Sequence, residues 1–299
     1  MIGRRAVVTA LAALPLGLVA GCSGGGGSGD GTLRISAIPD QDPDTLTERE
    51  ESLAAHLADV LGLDVEYVPV PDYAASVSLF AAGDLDLVFY GGLTGVQARL
   101  QADDAIVIAQ RDIDEEFTSI FIANAEAGIA PVEDVAGLTV FAGTRFTFGS
   151  ETSTSGRLMP SSFLSRAGVT EDDFEGEPGF SGSHDITLEL VTSGSYQGGA
   201  LNRQVWNSAV EDGTVDGTKV VEVLESPTYH DYHWLLRGDA DDRFGDGFAQ
   251  RLADAMLGLH ETEAGPAILE LYGCERLIPS EAANYAEIEE VARELGLIG

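Results

Sequence analysis

From residue 32 to 38 polar and apolar positions alternate (TLRISAI) and stop at Pro39-Asp40, the period of a strand followed by a turn. Leu46, Leu53, Leu57, Val60 and Leu61 then share one helical stripe, which Gly62 can end. Residues 64–70 read as a second strand. Asp72 can cap a helix over 73–82, and the apolar run 85–89 is a third strand suited to burial. Strand, helix, strand, helix, strand is the doubly wound α/β pattern, which sets ligand loops at the carboxyl ends of its strands. Residues 39–42, Asp72-Tyr73 and 90–94 fall at those ends.

Beyond them the spacing predicts a helix over 94–100 and a strand over 106–109. An apolar run, 117–123, crosses into a second unit, which opens with a short helix near Val132 and a strand over 138–141. Helices follow up to Gly168, over 186–193 and from 202, with small apolar residues at 196–201 and a strand over 219–224. Residues 226–236 carry the chain back, and helices over 248–259 and 283–295 close it. No internal repeat is present. The simplest arrangement is two α/β lobes joined by two crossings, with residues 32–123 and 225–299 in lobe 1 and 124–224 in lobe 2.

The most informative chemistry lies at 146–160 (FTFGSETSTSGRLMP). It reads as a strand end, a turn of small hydroxyl residues and the first turn of a helix. Hydroxyls, free backbone N–H groups and the positive end of a helix dipole converge there, which suits a small oxyanion. An ordinary N-cap in a polar loop would look the same.

Arg4-Arg5, the apolar run 6–20 and Val19-Ala20-Gly21-Cys22 form an export signal ending in a lipobox. Residues 1–21 are therefore expected to be removed, Cys22 to carry lipid, and the Gly/Ser-rich 22–31 to tether a folded body to a membrane. The apolar run is too short for a span and holds Pro15. Arg4-Arg5 also leaves a twin-arginine route open. Cys274 is then the one cysteine left unmodified, so no internal disulfide is expected.

The sequence has 50 acidic and 16 basic residues, with Lys219 its one lysine; without Arg4 and Arg5 the net charge is −36. That excludes nucleic acid and anionic lipid surfaces as partners. An anionic ligand would have to be held by short-range donors, against a field screened over ~8 Å at physiological salt.

Each candidate has a plainer reading. Tyr73 and Tyr90 fit a core with the hydroxyl at its edge, and His184 fits a helix start. His230-x-x-His233 with Asp231 has only generic metal spacing, and no metal or cofactor is expected. Trp206 and Trp234 suit packing. A serine hydrolase built on Ser153, His184 and Asp185 is the rival class, but Ser153 does not stand in a Gly-x-Ser-x-Gly elbow.

Asp72-Tyr73-Ala74-Ala75, Phe89-Tyr90-Gly91-Gly92, Ser153-Thr154-Ser155-Gly156 and His184 opening a helix, in this order, resemble the phosphonate-binding proteins of bacterial ABC importers. Ser36-Ala37-Ile38-Pro39-Asp40, the stretch 91–99 and Ser155-Gly156-Arg157-Leu158-Met159-Pro160 look like a branch labelled selenate-binding. The resemblance implies a type II periplasmic binding fold, two doubly wound lobes joined by a two-strand hinge and closing on a ligand. It implies a monomer that hands a small oxyanion to an ABC permease. It also implies ligand contacts from Tyr73, Tyr90, Ser153, Thr154, Ser155 and His184, with Asp231 matching an acidic position that holds an amine in some members. Where those members carry a Glu, this chain has Gln204, or Arg203 or Asn202 under a shifted alignment. That departure favours a phosphonate, phosphite or phosphate type of oxyanion, or selenate or selenite, over an aminoalkyl ligand.

Overall fold

A computed structural model describes residues 31–299. The leader, Cys22 and all but the last residue of the expected tether lie outside the described residues. Two mixed sheets form two lobes. In the first, β1 (Leu33–Ala37) pairs in parallel with β2 (Val65–Tyr67) and β3 (Leu87–Tyr90). β10 (His233–Leu236) lies antiparallel between β3 and β4 (Ile106–Arg111), and β11 (Leu277–Pro279) adds to β4. β3 is buried along its whole length, as an uninterrupted apolar run in a central strand should be.

Helix α1 (Pro43–Leu61) starts on Asp42, whose carboxylate accepts from the Asp44 and Thr45 amides, with Pro43 in its first turn. Gly62, at φ 67°, ends it in the left-handed region. Asp72 caps α2 (Tyr73–Ala82) in the same way, and α3 (Gly92–Gln101) begins directly after β3.

The second sheet runs β7-β6-β8-β5-β9. β5 (Ser119–Asn124) is antiparallel to β8 (Gly198–Asn202) and β9 (Val220–Glu225), while β6 (Phe146–Phe148) is parallel to β8 and β7 (Gly179–Phe180). Around it lie α4 (Met159–Arg166), α5 (His184–Thr192) and α6 (Arg203–Glu211). β8 is rich in small residues because rings crowd it: a Cβ at Gly198 would sit 2.5 Å from Phe141. The chain then completes the first lobe with α7 (Ala240–Phe244), α8 (Phe248–Leu257), α9 (Gly265–Leu271) and α10 (Ala286–Glu294), the last packing on α3 and on the turn ahead of α4.

Two expectations shift. The whole of β5 pairs in the second sheet, so the outward crossing lies near Phe117 rather than after Ala123. On the return, Phe117 and Tyr229 exchange backbone hydrogen bonds of 2.9 and 3.0 Å, stitching the two crossings together. An unbroken apolar run carries no mark of the sheet it joins. Residues 138–141 are not a strand but the end of a 3₁₀ helix, Val135–Phe141, whose N-cap Asp134 accepts from the Gly137 amide. Leu138 and Phe141, three apart, both face the core, as 3₁₀ geometry requires. The strand end read at the start of 146–160 is β6.

The hinge is organised by a buried ion pair. Arg111, at the end of β4, makes bonds of 2.6 and 2.9 Å to the Asp114 carboxylate, and donates at 2.9 Å to the Tyr272 carbonyl. Its guanidinium lies 4.8 Å from the Tyr232 ring centroid and 5.4 Å from that of Phe89. The Asp114 carbonyl accepts from the Asp231 amide, so the pair also sets the return crossing.

Candidate functional site

At the carboxyl ends of the strands the lobes meet on a polar patch. Lobe 1 contributes Asp40 after β1, Tyr73 opening α2, Gly91 to Leu93 opening α3, and Asp231-Tyr232 leading into β10. Lobe 2 contributes the turn after β6, His184 opening α5, and Asn202 closing β8. Direct bonds join the two sides. The Leu93 amide donates to Thr154 Oγ1 at 2.9 Å, the His184 amide to the Asp40 carbonyl at 3.0 Å, and Asn202 Nδ2 to the Tyr232 hydroxyl at 3.2 Å.

The hydroxyl turn is a π-helical turn, Thr154–Leu158, feeding α4. Ser153 caps it, its Oγ accepting from the Gly156 amide at 3.0 Å. The Leu158 amide reaches back five residues to the Ser153 carbonyl at 2.9 Å, giving a wider turn than an α-helix. Amides at the start of such a turn have no intrahelical partner and point outward. A Cβ on Gly156 would crowd the turn, lying 3.0 Å from His184 Cε1 and 3.2 Å from Gly149 Cα. The same holds opposite for Gly91, with Thr154 Oγ1 at 3.1 Å and Asp231 Oδ1 at 3.2 Å from its Cβ position.

Five buried polar atoms of this patch have no hydrogen-bond partner in the protein: Tyr73 Oη, Ser155 Oγ, His184 Nε2, Asp231 Oδ2 and Asp40 Oδ1. A buried group left so costs about 1–3 kcal/mol, and a cluster of them marks a place where something else supplies the partners. Their protonation states follow from their surroundings. His184 Nδ1 accepts from the Asn202 amide at 3.3 Å, which leaves the hydrogen on Nε2. Burial pushes the imidazole down to about 4, against a smaller upward pull from Asp40, so it donates a hydrogen bond as a neutral ring. Burial likewise raises Tyr73 well above the ordinary phenol range, keeping it a hydroxyl donor. Burial also lifts Asp231 to about 7, although the Gly92 amide, donating to Oδ1 at 2.9 Å, opposes the shift.

The candidates therefore separate. Tyr73, Ser155, His184 and Asp231 present free polar atoms to the patch. Ser153 and Thr154 lie there too, but as acceptors that hold the turn and the opposite lobe. Tyr90 does not belong to the patch: its hydroxyl donates to the Ser76 carbonyl at 2.8 Å and its ring packs edge-on to Phe80. In a strand buried on both faces, alternation could not reveal that direction. Gln204 sits outside, bonded to Arg111 and to the Gly273 carbonyl. His184 contributes no charge, and no carboxylate orients its Nδ1, so the hydrolase triad does not form. The His233 ring packs 3.9 Å from that of Tyr285. Among the described residues no cluster of three metal-ligating side chains occurs. Trp234 stacks in the core against Phe89, and Trp206 donates to Glu222. Asp40 and Tyr232 join the patch without being among the sequence candidates; Asp40 falls in the turn after β1, a ligand-loop position, but one acid among 50 does not stand out by residue type.

These shifts set a pH dependence. Asp231 is raised from 3.8 to about 7, so between those values the folded chain holds a proton the unfolded one has lost, and stability falls as pH rises through that window. His184 and His233, lowered to about 4 and about 3, act oppositely and lose stability as pH falls below 6.5. The stability of Asp231→Asn relative to the parent is therefore expected to climb from pH 4 to 7 and then level off. Chemical denaturation of the ligand-free protein at pH 4.5, 7 and 8.5 measures it, and a flat difference would refute the assignment.

The ABC-transporter phosphonate periplasmic substrate-binding protein family matches residues 35–285. A probable ABC transporter phosphite binding protein, PhnD1 of Prochlorococcus marinus (strain MIT 9301), is 44% identical over 268 residues, 89% of this chain and 90% of its own. The phosphate-import protein PhnD of Mycolicibacterium smegmatis is 27% identical over 206 residues, 65% of this chain and 63% of its own. The solved structure of the Prochlorococcus PhnD1 in complex with methylphosphonate superposes with a TM-score of 0.87, covering 89% of this chain and 99% of that one. A binding protein component of a Pseudomonas aeruginosa ABC phosphonate transporter, 16% identical, shares the fold at a TM-score of 0.75 over 87% of this chain and 85% of its own. The two lobes have the type II periplasmic binding fold, and the chain belongs to the phosphonate-type periplasmic substrate-binding proteins of ABC transporters, a family of binding proteins and not of enzymes.

Proposed function

We propose that this chain is a lipid-anchored extracytoplasmic receptor that closes on a small oxyanion of the phosphite, methylphosphonate or phosphate type and presents it to an ABC permease. The observation that carries the reading is the cluster of unpartnered buried donors, Tyr73 Oη, Ser155 Oγ and His184 Nε2, gathered at the mouth of a helical turn. In the ligand-free protein all three are neutral. Charge-assisted hydrogen bonds to an anion in a buried site exceed the long-range repulsion of an acidic surface, which salt screens. The names of the relatives point the same way, to phosphite, methylphosphonate and phosphate. Anchoring rests on the lipobox at Cys22 and the Gly/Ser tether behind it.

Asp231 narrows the ligand. Lifted to about 7, Asp231 is partly ionised near neutral pH, and in that form it needs a hydrogen on the oxyanion facing it, which phosphite, phosphate and methylphosphonate retain there and which selenate and sulfate lack. Selenate is the poorer fit. Calorimetry at pH 6 to 8 against methylphosphonate, phosphite, phosphate, selenate and sulfate tests the reading, with binding expected for the first three at least tenfold tighter than for the last two. Preference for selenate or sulfate would overturn it.

A further inference from the structure

We propose that Asp40 is a specificity-determining residue, its free carboxylate oxygen accepting the acidic hydrogen of the bound oxyanion. This rests on the oxyanion reading above and goes beyond it by assigning a second carboxylate to the ligand. Asp40 is 1% exposed and stands in the turn after β1, opposite α5 of the other lobe. Its three oxygens are divided among three tasks. The main-chain carbonyl accepts from the His184 amide at 3.0 Å, Oδ2 accepts from the Tyr232 hydroxyl at 2.8 Å, and Oδ1 has no partner in the protein.

The neighbours of Asp40 are what make Oδ1 informative. Its charge is felt at Tyr73 and at His184, whose Oη and Nε2 are themselves unpartnered donors. A ligand that reached all three would have to accept from two donors and donate to one acceptor. A fully ionised tetrahedral oxyanion has nothing to donate and would set a bare oxygen against Oδ1 in a low-dielectric site. A singly protonated oxyanion meets all three demands. Asp231 alone selects weakly, because near neutral pH it is present both as an acceptor and as a donor. Asp40 Oδ1, with Tyr232 donating to the other carboxylate oxygen, adds a second buried and unpartnered acceptor.

The test is calorimetry on the full mature chain at pH 7 with two probes of similar size, methylphosphonate and sulfate, comparing the parent with Asp40→Asn. The amide keeps an oxygen for Tyr232 and turns an N–H₂ toward the ligand. Methylphosphonate affinity is expected to fall at least about tenfold and sulfate affinity to rise, so that the preference between them shrinks by about 100-fold or more. An equal loss for both anions, with the preference within about threefold of the parent, would leave Asp40 only its bonds to Tyr232 and His184 and would overturn the proposal. A parent that binds none of the small oxyanions would instead overturn the oxyanion reading itself. Should the variant not fold, a crystal structure of the unmodified protein with methylphosphonate decides: a ligand oxygen within ~2.5–2.8 Å of Asp40 Oδ1 supports the assignment, and a water interposed there refutes it.

Discussion

Combining Ser155→Ala with His184→Phe is expected to weaken binding of methylphosphonate by about 3–6 kcal/mol, roughly 10²- to 10⁴-fold, since each removes a hydrogen bond to a charged group worth about 1.5–3 kcal/mol. Ser155 Oγ and His184 Nε2 are the right targets because nothing in the protein engages them. Ser153 and Thr154 are poorer ones. Their hydroxyls accept from Gly156 and from Leu93, so truncating them would loosen the turn and the lobe contact along with any ligand bond. Phe keeps the ring volume beside Gly156, while the Asn202 amide loses its acceptor. Circular dichroism and the unfolding midpoint should therefore accompany the calorimetry. A folded double variant with parental affinity would remove both residues from the site.

Asp114→Ala should cost about 3–5 kcal/mol of stability, because it strands the Arg111 guanidinium in the core without its carboxylate. Asp114 is fully buried and accepts from Arg111 Nε, Nη2 and the backbone amide, so no water can step in at low cost. Urea unfolding at constant pH measures the loss. Replacing both partners with apolar residues, Arg111→Met with Asp114→Leu, is expected to recover most of it, since an uncompensated charge is the larger penalty. A single variant within 1 kcal/mol of the parent would show that the pair is not organising the hinge.

What the sequence disclosed follows from where its signals are local. Caps are local: Asp42, Asp72 and Gly62 act where residue type and position alone suggest. The π-turn at Ser153 to Leu158 announced itself by its hydroxyls, although its five-residue hydrogen-bond step did not. Long-range choices were silent. The run 117–123 could have joined either sheet, and burial of β3 on both faces hid the fact that the Tyr90 hydroxyl turns back to α2. Leu138 and Phe141 carry a spacing that a strand does not need but a 3₁₀ turn does. Asp40 illustrates the remaining difficulty, because a strongly acidic composition conceals the few carboxylates that are buried.

The bond between the His184 amide and the Asp40 carbonyl is main chain on both sides. Side-chain replacement at either position leaves that clasp chemically intact. Anion preference and this contact between the lobes can thus diverge: substitutions at Asp40 or His184 can retune which solute is captured without removing the main-chain bond that joins the two sides.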